Sequence, residues 1–164
     1  MNILWFDVET ASEVHTDEQR NSYSKKNIRT QKAEWKWLDL SLETFMSNCW
    51  IYAEYSKVVC ISMCVWDKVH SIVWDEIDIL NQFNTVLEKS QNYTLWWFNI
   101  YWFDISYLWK RMVVNWIKPN EKLCIQNQKP REVVLVDVMK IWKHTSFWCS
   151  LDLLSMTLLW ESPK

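Results

Sequence analysis

Glycine is absent from all 164 residues of this chain, and its absence closes off whole classes of chemistry. Phosphate-cradling loops and dinucleotide fingers need glycine where the backbone approaches a pyrophosphate, so neither can be argued here. Long apolar runs are missing too: no segment reaches the roughly 18 residues that would span a bilayer. The opening MNILWFDVET has no basic run, apolar stretch or cleavage site of a leader peptide. Neither charge sign dominates, since 18 Lys and Arg against 20 Asp and Glu leave a net −2. A nucleic acid would therefore have to be held by a local patch or through bound cations. Cysteine is scattered, with Cys49, Cys60, Cys64, Cys124 and Cys149 at no metal-ligand spacing. They read as buried free thiols, which fits a reducing cytoplasm.

Tryptophan takes the opposite course, with 14 occurrences. Average usage would put glycine at about 7% of positions, roughly a dozen here, and the tryptophan surplus has about that size. Several tryptophans stand where turn chemistry asks for glycine. Trp97 and Trp102 bracket a strand-to-helix junction, Trp116 follows Asn115 at a helix end, and Trp160 closes another helix. Forcing a large side chain into such a site costs about 1–3 kcal/mol, and about ten of them would exceed a domain's whole stability. Most of these tryptophans are therefore expected to be glycine codons, most simply UGA read through the wrong table. Trp66, Trp109 and Trp142 lie in apolar periodic segments, which leaves them open as genuine tryptophans.

With 49% hydrophobic and 23% charged residues, the chain suits one domain over residues 1–164 with a sizeable core. Asn2 to Phe6 predicts a strand ending at Asp7, and Thr16 with Gln19 fits the capping-box spacing of a polar helix. Lys25 to Trp37 reads as an exposed segment whose cations Lys25, Lys26, Arg29 and Lys32 are placed to meet phosphates or simply solvent. Leu38 to Phe45 has helical periodicity. Lys57 to Trp66 and Val69 to Trp74 predict an antiparallel hairpin turning at Asp67 and Lys68. Asp75 is expected to cap a helix carrying Ile79, Leu80, Phe83, Val86 and Leu87. A strand over Tyr93 to Phe98, a helix over Phe103 to Val114, a strand over Val133 to Val136 and a helix over Ser150 to Leu159 complete the order. Three early strands followed by alternating helix and strand predict an α/β fold: three antiparallel strands, then parallel ones, with helices on both faces.

Two motifs carry chemistry. In FDVET, Asp7 and Glu9 are two apart on a strand, so alternation points both carboxylates to one face. Like charges that close repel unless a cation lies between them. In FNIYWFD, Asn99, Phe103 and Asp104 fall where a buried strand passes into a helix. Asp104 is expected in the first helical turn, with Asn99 tying the turn together. His15, His70 and His144 are isolated, and no nucleophile has a recognisable setting.

FDVET and FNIYWFD resemble the first two motifs of the DnaQ-like 3′ to 5′ exonucleases, which have a ribonuclease H-like fold. The second motif is most similar to the proofreading domain of family-B DNA polymerases and to stand-alone bacterial proteins related to it. The similarity extends through VDVMKIWKHTSFWCSLDLLSMTLLWESPK and sharpens when Trp74, Trp97, Trp102, Trp148 and Trp160 are read as glycine. The resemblance implies that Asp7, Glu9 and Asp104 hold two Mg²⁺ or Mn²⁺ ions, and that Thr10, Asn99 and Phe103 meet the terminal nucleotide, Thr10 through its backbone or hydroxyl and Phe103 as either core or a wedge. The implied substrate is a single-stranded or 3′-ended nucleic acid, with DNA ahead of RNA. The family's third motif, a Tyr-x3-Asp or His-x4-Asp, has no equivalent. His70 and Asp75 match the second spacing only by chance, because they precede Asp104 and lie in the hairpin region, while Asp137 looks like a structural strand end. The third motif is expected beyond Lys164, and residues 1–164 alone are expected to have little or no nuclease activity. An exoribonuclease of the same fold and a noncatalytic nucleic-acid-binding module are the alternatives.

Overall fold

Leu4, Phe6 and Val8 are buried while Ile3, Trp5 and Asp7 are not, the alternation of a strand covered on one face. This strand, β1, runs Asn2–Ser12, past the expected end at Asp7. It continues because a second strand pairs with it from Trp5↔Cys64 to Ser12↔Ser56. The structure, a computed structural model, describes residues 2–13, 49–124 and 135–143, together with positions 18, 150, 151, 154 and 156. The segments expected over 16–19, 25–37 and 38–45, and nearly all of that over 150–159, lie outside the described residues, as do His15, His144, Trp148, Cys149, Asp152 and Trp160.

Strands β2 (Ser56–Val65) and β3 (Lys68–Ile72) form the antiparallel hairpin. Its turn is one residue earlier than expected, at Trp66 and Asp67, because Lys68 already pairs with Val65. Helix α1 (Glu76–Lys89) starts where Asp75 accepts a hydrogen bond from the Ile77 amide at 3.2 Å. It buries Ile79, Leu80, Phe83 and Leu87 along one stripe. Strand β4 (Tyr93–Trp97) leads to helix α2 (Asp104–Val114), whose buried stripe is Ile105, Leu108 and Met112. Strand β5 (Leu135–Asp137) passes directly into the short helix α3 (Val138–Lys143), which periodicity does not reveal. In that helix Met139 is buried while Lys140, Ile141 and Trp142 are exposed, too short a stripe to register.

The five strands form one mixed sheet in the order β3-β2-β1-β4-β5. Pairing is antiparallel from β3 through β1 and parallel from β1 through β5. The architecture is thus α/β, with the expected succession of antiparallel and parallel strands. One face of the sheet is apolar: Leu4, Leu95 and Leu135 stand in register, as do Val8, Ile61 and Ile72. Helix α1 covers this face, with Phe6 and Phe83 rings 5.1 Å apart. Helix α2 lies on it too, joined to α1 by a buried ion pair between Arg111 and Glu76. Helices were expected on both faces; among the described residues α1 and α2 share one. No helix of the described residues is long and apolar enough to cross a membrane.

Glu76, Arg111 and Lys122, all buried, are each hydrogen-bonded. One oxygen of Glu76 accepts from the Val58 amide and from Arg111 Nε, each at 2.8 Å, and the other accepts from Asn115 Nδ2 at 2.9 Å. Arg111 Nη1 donates to the Ala53 carbonyl at 2.7 Å. A single carboxylate therefore ties β2, α1 and α2 together. Lys122, also buried, donates to the carbonyls of Ser90 and Tyr93 and closes the link between α1 and β4. Of the cysteines, Cys49 is buried and Cys60, Cys64 and Cys124 are half-buried, all four as free thiols. Cys60 and Cys64 are less covered than expected because they point to the face of β2 away from the core.

Candidate active site

Strand order marks where a candidate site lies. The chain leaves β1 toward β2 on one side and leaves β4 toward β5 on the other, so the direction of winding reverses between β1 and β4. In open α/β sheets the crevice beyond the carboxyl ends of the strands at such a point is where ligands bind. Pairing of β1 with β4 stops at Trp5↔Trp96, and Asp7 follows two residues later. Asp104 opens the helix that follows β4, and Asp137 ends β5. Three acids therefore collect at one end of three parallel strands.

Asp104 is only 3% exposed. The backbone amides of Val8 and of Asp104 itself lie against its carboxyl and favour the charged form. Burial, followed by the charge of Asp7, pushes its pKa up to about 8, with Asp137 adding in the same direction and the two amides opposing. The expected first-turn position is observed, and so is the approach to Asp7. Glu9 shares the face of β1 that carries Asp7, opposite buried Val8, but is exposed at the strand's outer part. A β-bulge follows, with Val59 of β2 the extra residue between the pairs Glu9↔Cys60 and Thr10↔Val58. Among the described residues no group of three or more His, Cys, Asp or Glu side chains is gathered closely enough to hold a metal. The structure thus brings Asp7 to Asp104 and leaves Glu9 outside that pair.

Asn99 sits at φ 62°, a left-handed conformation that asparagine tolerates better than most residues. Its backbone, rather than its side chain, ties the turn: the carbonyl accepts from the amides of Trp102 at 3.2 Å and Phe103 at 3.4 Å. Its Oδ1 is buried and has no hydrogen-bond partner among the described residues. Phe103 is half-buried, its ring 6.1 Å from Trp50 and 5.3 Å from Tyr107, so it serves the packing under the site. The Thr10 hydroxyl donates to the Trp50 carbonyl at 3.0 Å.

Asp137 does more than end a strand. Its Oδ1 accepts from the Asn99 amide at 3.0 Å and the Lys140 amide at 3.3 Å, and its Oδ2 from the Tyr101 amide at 3.4 Å. Sequence reading saw a structural acid here and missed that it holds the turn preceding Asp104. The only available signal was its place at the end of a short apolar run. Beside it lies a cavity of about 430 Å³ lined by Tyr101, Trp102, Asp137, Met139 and Lys140, with the Lys140 ammonium 5.1 Å from the centre of the Tyr101 ring. His70 lies in β3 and Asp75 caps α1, so the chance reading of their spacing stands. No family model and no characterised protein matches the chain.

Proposed function

We propose that this chain is the core of a DnaQ-like 3′ to 5′ exonuclease with a ribonuclease H-like fold, cleaving terminal phosphodiesters of DNA, with RNA as the second substrate class. The observation that carries the reading is the buried Asp104 carboxyl set beside Asp7 at the point where the sheet's winding reverses. Strand order and the succession of antiparallel and parallel pairing agree with that fold. The donors are hard carboxylate oxygens, the type that Mg²⁺ and Mn²⁺ prefer. Asp7 and Asp104 would hold the ions, with Glu9 on the same strand face as the further donor that the sequence motif implies. Such ions supply an activated water and stabilise the leaving 3′ oxygen. The chain's own part is to position: Asp137 and the Asn99 carbonyl fix the turn, and α2 presents Asp104.

The test is metal-dependent trimming of a 3′-labelled single strand by the complete protein. Asp7→Ala and Asp104→Ala should each lower the rate by about 10²–10⁴-fold, the scale of losing metal-borne charge stabilisation. Full activity in both variants would end the assignment. Matched DNA and RNA oligonucleotides separate the two substrate classes. The position of Glu9 outside the Asp7 and Asp104 pair favours one second reading, a noncatalytic module that binds a 3′ end and leaves it uncut. Tight binding without trimming in Mg²⁺ or Mn²⁺ would select it.

A further inference from the structure

We propose that positions 66 and 116, and with them 74 and 102, are glycine in the protein as its source cell makes it, inserted at UGA codons. Three described residues have positive φ: Trp66 at 58°, Asn99 at 62° and Trp116 at 58°. Asparagine belongs in that region, whereas a bulky side chain there is an outlier. Two tryptophans in the left-handed region of a chain with no glycine at all is the pattern that a glycine-to-tryptophan exchange leaves behind.

Local geometry at each site asks for glycine independently. Helix α2 is capped by Asn115, after which the Ile117 amide bonds to the Met112 carbonyl at 2.8 Å and the Trp116 amide to the Val113 carbonyl at 3.1 Å. This pair of bonds is the Schellman motif, and Trp116 occupies its left-handed position, where glycine is the usual residue. Trp66 is the first of the two residues joining β2 to β3, and it has positive φ while Asp67 does not. A two-residue hairpin turn of that kind takes glycine first. Periodicity leaves Trp66 open as a genuine tryptophan, and the turn geometry places it with the exchanged positions.

Burial points the same way on separate grounds. Tryptophan is among the more buried residues on average, yet Trp66 is 79% exposed, Trp74 75%, Trp102 79% and Trp116 96%. Trp109 and Trp142 lie within helices with ordinary φ and are about half covered, so nothing there asks for glycine. At 102 the exchange has a consequence for the site, since removing the indole takes away one of the side chains that line the cavity beside Tyr101 and Lys140. The inference does not depend on the exonuclease reading.

The gene's codons decide it. UGA is expected at 66, 74, 102 and 116, and UGG at either 66 or 116 overturns the proposal. Peptide masses of the protein purified from its source organism distinguish glycine from tryptophan at the same positions without the gene. A synthetic series supplies a physical check: Trp66→Gly and Trp116→Gly should each raise the thermal midpoint by about 2–4 °C, while Trp109→Gly, inside a helix, should lower it. A fall in midpoint for both of the first two variants would also overturn the proposal.

Discussion

Asp104 is where one side chain governs the whole. Its folded pKa of about 8 stands well above the ordinary carboxylate value, so the metal-free fold keeps a proton that the unfolded chain has released. The stability this group contributes is full below about pH 4 and is lost as pH rises through about 8, at order 1 kcal/mol per unit. Asp104→Asn should flatten that fall. Urea midpoints measured in chelator at both ends of the range would reveal it, and an unchanged pH slope would contradict the burial described. Asn99 offers a second test. Asn99→Gly should fold normally, because glycine accepts φ 62°, while Asn99→Val should lose about 1–3 kcal/mol in denaturant unfolding. The sequence could indicate Asp104 and Asn99 as neighbours at a junction. It could not indicate which part of Asn99 ties the turn, since φ is set by the path from β4 to α2.

Elements with strong local signals were legible. The hairpin, the Asp75 cap and the stripes of α1 and α2 all follow from alternation, a capping side chain or 3.6-residue spacing. Helix α3 was not legible because a single buried methionine makes no period. The cross-link between α1 and α2 was not legible either, for a different reason: Glu76 and Arg111 are 35 positions apart, and only the packing of two helices on one face brings them together. Arg111→Met should cost about 3–5 kcal/mol, because it leaves the Glu76 charge buried and unpaired. The double variant Glu76→Leu with Arg111→Met should recover part of this but not all, since the Val58 amide then loses its acceptor. A double-mutant cycle by denaturant unfolding measures the difference. Additive losses would mean that the pair is not coupled.

At the scale of the molecule, the strand succession was legible from the element order, whereas the clustering of acids was only half so. Alternation puts Asp7 and Glu9 on one face, but it does not say which of the two lies near Asp104; Asp7, two residues past the end of β4 pairing, is the one whose charge acts on it. If divalent ions bind the folded state, Mn²⁺ at about 100 times its Kd should add about 2.7 kcal/mol to stability. Asp7→Ala should abolish that increment in a thermal melt, and retention of it would move the ion elsewhere. Asp137 sets the character of any such ion. With three amides already on its carboxylate, it has little left to offer a cation. Among the described residues, an ion held by Asp7 and Asp104 would thus find few protein oxygens beyond Glu9, and water or a scissile phosphate would complete its inner sphere. It would be borrowed from solution with the substrate rather than kept as a resident, easily stripped and easily replaced.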